Sequence, residues 1–183
     1  MSTQQLSSRR ILILATDGFE QSELEVPQKE LAALGATVHV AAPKTGSIKG
    51  WDKTDWGNPV KVDLALSEAD AKDYDALVLP GGQMNPDALR LEPKAIELIK
   101  AFASAGKPVA AVCHAPWLLI DAGLVSGRKV TSWPSVRTDL KNAGGTVVDE
   151  SVVTDRGIIT SRKPEDLHDF VAAIASQLAS GKE

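Results

Sequence analysis

The chain holds a single cysteine, Cys113, and its setting suits chemistry as well as packing. It closes an apolar run, residues 109–112, and opens Cys113-His114-Ala115-Pro116, after which an apolar, proline-started helix begins at once. A sharp strand-to-helix turn of this kind lifts a side chain clear of the backbone, the logic of a nucleophile elbow. A cysteine just ahead of a helix meets the positive end of its dipole and unpaired N–H groups, and both lower its pKa. The expectation is therefore a reactive thiolate. The same N–H groups, with one from the Gly81-Gly82 turn, could hold an oxyanion. Glycine there would let the backbone approach a reacting carbonyl closely.

Two more segments offer chemistry at strand ends. Asp17-Gly18-Phe19-Glu20-Gln21-Ser22-Glu23 follows the apolar run 11–15, and Pro80-Gly81-Gly82 follows the run 76–79. Each has a plainer reading. Glu20 and Glu23 could be first-turn acids that favour a helix dipole, the glycine pair a tight turn, and a lone cysteine a well-packed core residue. His39 lies inside an apolar run and reads as a core histidine, while His168 reads as a surface one. One cysteine and three scattered histidines argue against a dedicated metal site.

The elements that must position these residues are legible from hydrophobic period. Residues 11–15, 37–42, 76–79 and 109–112 are nearly continuous apolar runs bounded by turn signals, and read as buried strands. Leu24, Leu31 and Leu34 share a helical stripe that stops at Gly35. Ala95, Leu98, Ile99 and Phe102 form another that ends at Gly106, and Leu167, Phe170, Val171, Ile174 and Leu178 a third. Alternating strands and helices imply βαβ units, a mostly parallel sheet and helices on both faces. Ligands of such sheets bind at the carboxyl ends of the strands. Residues 45–59, with two tryptophans, read as a surface excursion before a short alternating strand at 60–66. Short strands are expected at 129–132, 146–148 and 158–161.

With 183 residues the chain suits one domain. Its 43% hydrophobic and 24% charged composition is that of an ordinary globular protein. A net charge of −4 without a basic block argues against a nucleic-acid partner. No apolar run is long enough to span a bilayer, and residues 1–10 lack the apolar core of a secretory signal. Together with the single cysteine, this points to a reducing cytoplasm.

Three phrases carry a resemblance: Leu79-Pro80-Gly81-Gly82, Val109-Ala110-Ala111-Val112-Cys113-His114-Ala115-Pro116, and Gly127-Arg128-Lys129-Val130-Thr131-Ser132. They resemble the ThiJ/PfpI superfamily, nearest its PfpI-like branch of intracellular proteases, glyoxalases and protein deglycases. The resemblance spans about residues 9–178. It implies an α/β fold, a three-layer α/β/α sandwich of flavodoxin-like, class I glutamine amidotransferase-like type. A single domain over residues 9–180 would then lie between flexible ends at 1–8 and 181–183.

Residue by residue, the resemblance implies Cys113 as nucleophile and Glu23 as the carboxylate that hydrogen-bonds its sulfur, with Glu20 a second acid. It implies an oxyanion hole from the N–H groups of Gly82 and His114. His114 would also serve as base, oriented by an acid from a neighbouring subunit, for which the segment 82–87 offers Asp87. Asp87 reads equally as an early-helix acid. Three departures stand out. Ala115 replaces a usual glycine, Trp133 stands where some relatives have a histidine, and Lys163-Pro164-Glu165 replaces the His-Pro-Glu of related amidotransferases. The last counts against glutamine hydrolysis.

The implied activity is cofactor-free, thiolate-dependent conversion of reactive carbonyls, either small aldehydes or their early adducts on proteins and peptides. Peptide or amide hydrolysis is the enzymatic alternative. A non-enzymatic oxidative-stress sensor or chaperone is the other. A homodimer or larger homo-oligomer is implied by the resemblance alone.

Overall fold

The computed structural model describes residues 5–180. In chain order the elements are β1 (Arg10–Leu14), α1 (Gln21–Ala33), β2 (Thr37–Ala42), β3 (Ser47–Asp52), β4 (Asp55–Lys61) and β5 (Leu64–Ala65). Then come β6 (Ala76–Leu79), α2 (Met84–Leu89), α3 (Pro93–Ser104), β7 (Val109–Val112), α4 (Pro116–Asp121), β8 (Lys129–Val130) and α5 (Arg137–Asn142). The chain ends with β9 (Thr146–Val147), β10 (Val152–Asp155), β11 (Ile158–Ser161) and α6 (Leu167–Ser180).

Seven strands form the central sheet in the order β10-β11-β7-β6-β1-β2-β5. Every pairing is parallel except β10 with β11. The pleat explains why the core strands are apolar without alternation. Ile11 and Ile13 face the layer of α1 and α6, with Phe170 and Ile174. Leu12 and Leu14 face the opposite layer, with Leu98, Ile99 and Phe102 of α3. All four β1 side chains have no exposed surface. Burial of each such side chain stabilises the fold by roughly 1.5–3 kcal/mol.

Residues 45–59 depart from the expected surface excursion. They form the β3–β4 hairpin, paired from Ser47↔Lys61 to Asp52↔Asp55 and closed by Lys53-Thr54. Lys53 takes the left-handed conformation (φ 58°) that such a turn demands. The hairpin lies across the β1–α1 connection: Trp51 N–H donates to the Phe19 carbonyl (2.7 Å) and Gly18 N–H to the Lys49 carbonyl (2.9 Å). Gly50 permits this approach, because a Cβ there would lie 3.0 Å from the Phe19 ring.

The expected loose segment at 1–8 falls partly outside the described residues. Within them, Leu6 is fully buried and its N–H donates to the Leu34 carbonyl at 2.8 Å, so packing begins before Arg9. The expected strand at 129–132 is cut to Lys129–Val130, because Thr131 N–H turns to the Thr160 hydroxyl instead. No described helix is long and apolar enough to cross a membrane.

Candidate active site

β7, β6 and β1 are neighbours in the sheet, so the segments that follow them meet at one edge. Cys113 directly follows β7 and holds φ at 64°, a left-handed conformation that costs a non-glycine residue roughly 1–2 kcal/mol. Surrounding bonds enforce it. Its N–H donates to the Ser161 carbonyl (3.0 Å), its carbonyl accepts from Trp133 N–H (2.9 Å), and Ala115 N–H closes the turn onto Val112 (3.0 Å). The thiol is thereby turned to the carboxyl edge, only 6% of the residue remaining exposed.

Glu23, in the first turn of α1, is wholly buried. Its Oε2 accepts from Gly81 N–H at 2.7 Å, which fixes the carboxyl beside the elbow. Burial pushes its pKa up to about 8, so the carboxyl is protonated at neutral pH. Gly81 cannot be another residue, since a Cβ would lie 2.5 Å from Glu23 Oε2 and 2.6 Å from the Val112 carbonyl oxygen. Gly82 has φ 78°, and a Cβ there would lie 2.6 Å from the Glu20 nitrogen. Asn85, fully buried, ties this turn down. Its Nδ2 donates to the carbonyls of Pro80 (2.9 Å) and Gly81 (3.2 Å), and its Oδ1 accepts from Thr16 N–H (2.8 Å).

The expected depression of the cysteine pKa by a helix dipole is not what this geometry gives. α4 has six residues and starts beyond Cys113, too short for much of a dipole. Burial pushes the thiol up, and the Glu23 charge adds to this whenever that carboxyl is ionised. The backbone N–H groups of Gly82 and His114 pull the other way. A low resting pKa is therefore replaced by a buried thiol beside a protonated acid.

His114 supplies the nearest base. Its Nδ1 is 3.1 Å from Cys113 Sγ and its Nε2 3.5 Å from the Ser135 hydroxyl. Half-burial lowers its pKa below the ordinary value, leaving the ring neutral at pH 7. The ring stacks on Trp133 (centroids 5.9 Å, 21°) and meets Trp117 edge-on (5.2 Å).

Cys113, His114, Glu23, Glu20 and Gly82 line one cavity of about 290 Å³. Burial, and next the Asp52 charge, raise the pKa of Glu20. Asp87 does not line this cavity. It is exposed in α2, in a separate surface hollow with Arg90, Trp117 and Asp139. Sequence reasoning did not place Lys53 and Gln83 on the cavity wall, nor Asn85 beneath it; Pro164 and Glu165, read as a departure from the amidotransferase motif, also line it. The Asn-Pro pair after Gly81-Gly82 was the available signal for Asn85, as asparagine often bonds the backbone of a neighbouring turn.

A strained, buried cysteine at the carboxyl edge of a parallel sheet, between a buried carboxyl and a histidine, defines a nucleophile-elbow α/β protein. The chain belongs to the DJ-1/PfpI family, whose sequence profile matches residues 9–177. It is 45% identical over 159 residues to deglycase TK1284 of Thermococcus kodakarensis, covering 87% of this chain and 93% of that protein. It is 42% identical over 164 residues to YraA of Bacillus subtilis, whose name assigns it provisionally to the cysteine proteases, covering 89% and 94%. Among solved structures, a two-domain protein of Anabaena variabilis with DJ-1/ThiJ/PfpI-like and ferritin-like domains superposes with a TM-score of 0.88 at 35% identity. That match covers 96% of this chain and 49% of the larger one.

Proposed function

We propose that the chain is a cofactor-free enzyme that uses Cys113 to convert reactive carbonyls, as a glyoxalase, a protein deglycase or both. The observation that carries this reading is the trio at the elbow: a buried thiol between neutral His114 and protonated Glu23. A neutral imidazole 3.1 Å away can take the thiol proton, whereas protonated Glu23 can only donate. The sulfur then adds to the aldehyde carbon of methylglyoxal and forms a hemithioacetal. Its oxyanion falls to the N–H groups of Gly82 and His114, an assignment supported by their influence on the neighbouring sulfur.

From the hemithioacetal, a proton moves from the former aldehyde carbon to the adjacent ketone carbon, with His114, neutral again once its first proton has passed to the hemithioacetal oxygen, as carrier. The first carbon is oxidised as the second is reduced, which leaves a lactoyl thioester on Cys113. Water hydrolyses it to lactate and returns the thiol. Methylglyoxal and water thus become lactate, with no external oxidant or reductant. An early adduct on a protein amine enters the same sequence, the amine departing as the thiol adds. Deglycation by the relative TK1284 supports this reading, as does the small cavity, which suits a three-carbon substrate. Peptide hydrolysis would need an acid behind His114 to serve the leaving amine; within the chain Nε2 faces the Ser135 hydroxyl, so that acid would have to come from a neighbouring subunit.

The test is lactate formation from methylglyoxal by metal-free protein without added thiol, beside Cys113→Ala. Lactate from the native protein and none from the variant is expected. Equal turnover by both would overturn the assignment of Cys113.

A further inference from the structure

His114 is only as good a base as its ring is steady, and a half-buried surface histidine ordinarily samples several rotamers. Here it is confined on two sides by indoles. Trp133 covers one face, and Trp117 presents its edge from the first turn of α4. Trp117 is itself held from two other elements. Its Nε1–H donates to Asp139 Oδ2 of α5 at 2.8 Å. The Arg90 guanidinium, just past α2, lies 5.7 Å over its ring and is anchored by a bidentate pair with Asp121 at 2.9 and 3.0 Å.

Trp117, Asp139 and Arg90 do not line the cavity that contains the sulfur. We infer that Trp117, fixed by its hydrogen bond to Asp139, is a positioning residue that holds His114 Nδ1 against the Cys113 thiol. Within one chain, α4, α5 and the residue after α2 thus converge on one indole. This inference rests on the reading that His114 takes the thiol proton, but not on which carbonyl is the substrate.

Two readouts independent of turnover test it. The first is alkylation of Cys113 by iodoacetamide at pH 7, which reports proton removal from the thiol. The second is titration of His114 by NMR, tractable with three histidines in the chain. The charged and titratable groups that share the cavity with His114 are Cys113, Glu20, Glu23, Lys53 and Glu165, and none of them is substituted in the variants. Trp117→Leu should slow alkylation about tenfold, a fraction of what a positioned base supplies. It should also raise the His114 pKa toward the ordinary value as water reaches the ring.

Asp139→Leu should act in the same direction, while Asp139→Asn, whose amide oxygen still accepts from the indole, should behave as native. Simple loss of the Asp139 charge would instead lower the His114 pKa, and would do so equally in both variants. Trp117→Phe, which keeps the ring packing but lacks the N–H, guards against a misfolded leucine variant and should fall between. Native alkylation rates in Trp117→Leu and Asp139→Leu would overturn the inference, as would equal effects of Asp139→Leu and Asp139→Asn. Loss of lactate formation in every protein, native included, would instead count against the proposed substrate while these two readouts still decided the role of Trp117.

Discussion

Glu23 Oε2 accepts a hydrogen bond from Gly81 N–H at 2.7 Å, while Oε1 of the same carboxyl is buried without a hydrogen-bond partner among the described residues. A buried oxygen in that state favours the neutral acid, since an isolated charge there would be poorly solvated.

This fixes the sign of a pH effect on stability. The Glu23 pKa rises from 4.5 to about 8 on folding, so between these values the folded chain keeps a proton that the unfolded chain has lost. Its contribution is full below the unfolded value and is lost as pH rises toward 8. Glu23→Gln carries no such proton. Its stability relative to native should therefore grow with pH across the window, by on the order of 3–5 kcal/mol in all. Chemical denaturation of both proteins at pH 5, 7 and 9 checks this, and a difference that stayed constant would refute it.

Two glycine-to-alanine changes should separate close approach from simple backbone strain. Gly106 has φ 70° with open space around its missing Cβ, so Gly106→Ala should cost only about 1–2 kcal/mol. Gly82→Ala adds a Cβ 2.6 Å from the Glu20 nitrogen and 2.7 Å from the Gly18 oxygen, so it should cost more and abolish turnover. Denaturation midpoints and lactate assays on the pair would show whether the turn tolerates any widening.

Asn85→Ala should lower both stability and activity, although the residue touches no reacting atom. It would strip hydrogen bonds from Thr16, Pro80 and Gly81 in a buried setting, a loss of about 2–4 kcal/mol. Asn85→Asp keeps an acceptor for Thr16 but brings a carboxyl against two carbonyls, and should do no better. Denaturation curves beside kcat measurements would test this, and a stable, fully active Asn85→Ala would count against the proposed bracing of the glycine turn.

The wall formed by Pro164 and Glu165 depends on Arg162, two residues before it. Arg162 makes a bidentate pair with Asp166 (2.7 and 3.0 Å) and a third bond to Asp149, which Arg137 also contacts. Arg162→Ala leaves Asp166, only 8% of whose side chain is exposed, without its counter-charge, and should cost about 3 kcal/mol. Adding Asp166→Leu should recover part of that loss. A double variant no more stable than the single one would show that the pair matters less than its geometry suggests.

How much of this was legible beforehand follows from where the information sits. Strands 76–79 and 109–112 carried their own signature, because burial on both faces leaves no polar residue in the run, and 37–42 departs from it only at Thr37 and His39. The elbow was legible because Cys113-His114-Ala115-Pro116 abuts such a run. The hairpin was not, since Lys53-Thr54 lacks the usual Asn-Gly signal and its tryptophans alternate with glycine and charge. The direction of the Cys113 pKa was also hidden. It depends on depth and on Glu23, ninety residues earlier in the chain, neither of which local spacing encodes. Trp117 escaped notice because its partners Arg90, just past α2, and Asp139, on α5, are far from it in sequence.

The sheet's two borders bear on how the protein behaves in a crowded solution. Unpaired strand borders invite a second chain to add on and propagate into aggregates. At one border β5 has two residues, too few to template an extended partner. At the other, β10 runs against its neighbour's direction and ends at Asp155, whose carboxylate already accepts from Lys129 N–H at 2.8 Å. Between these blunted margins, a sheet of high β-propensity can be produced in quantity without offering a seam for runaway polymerisation.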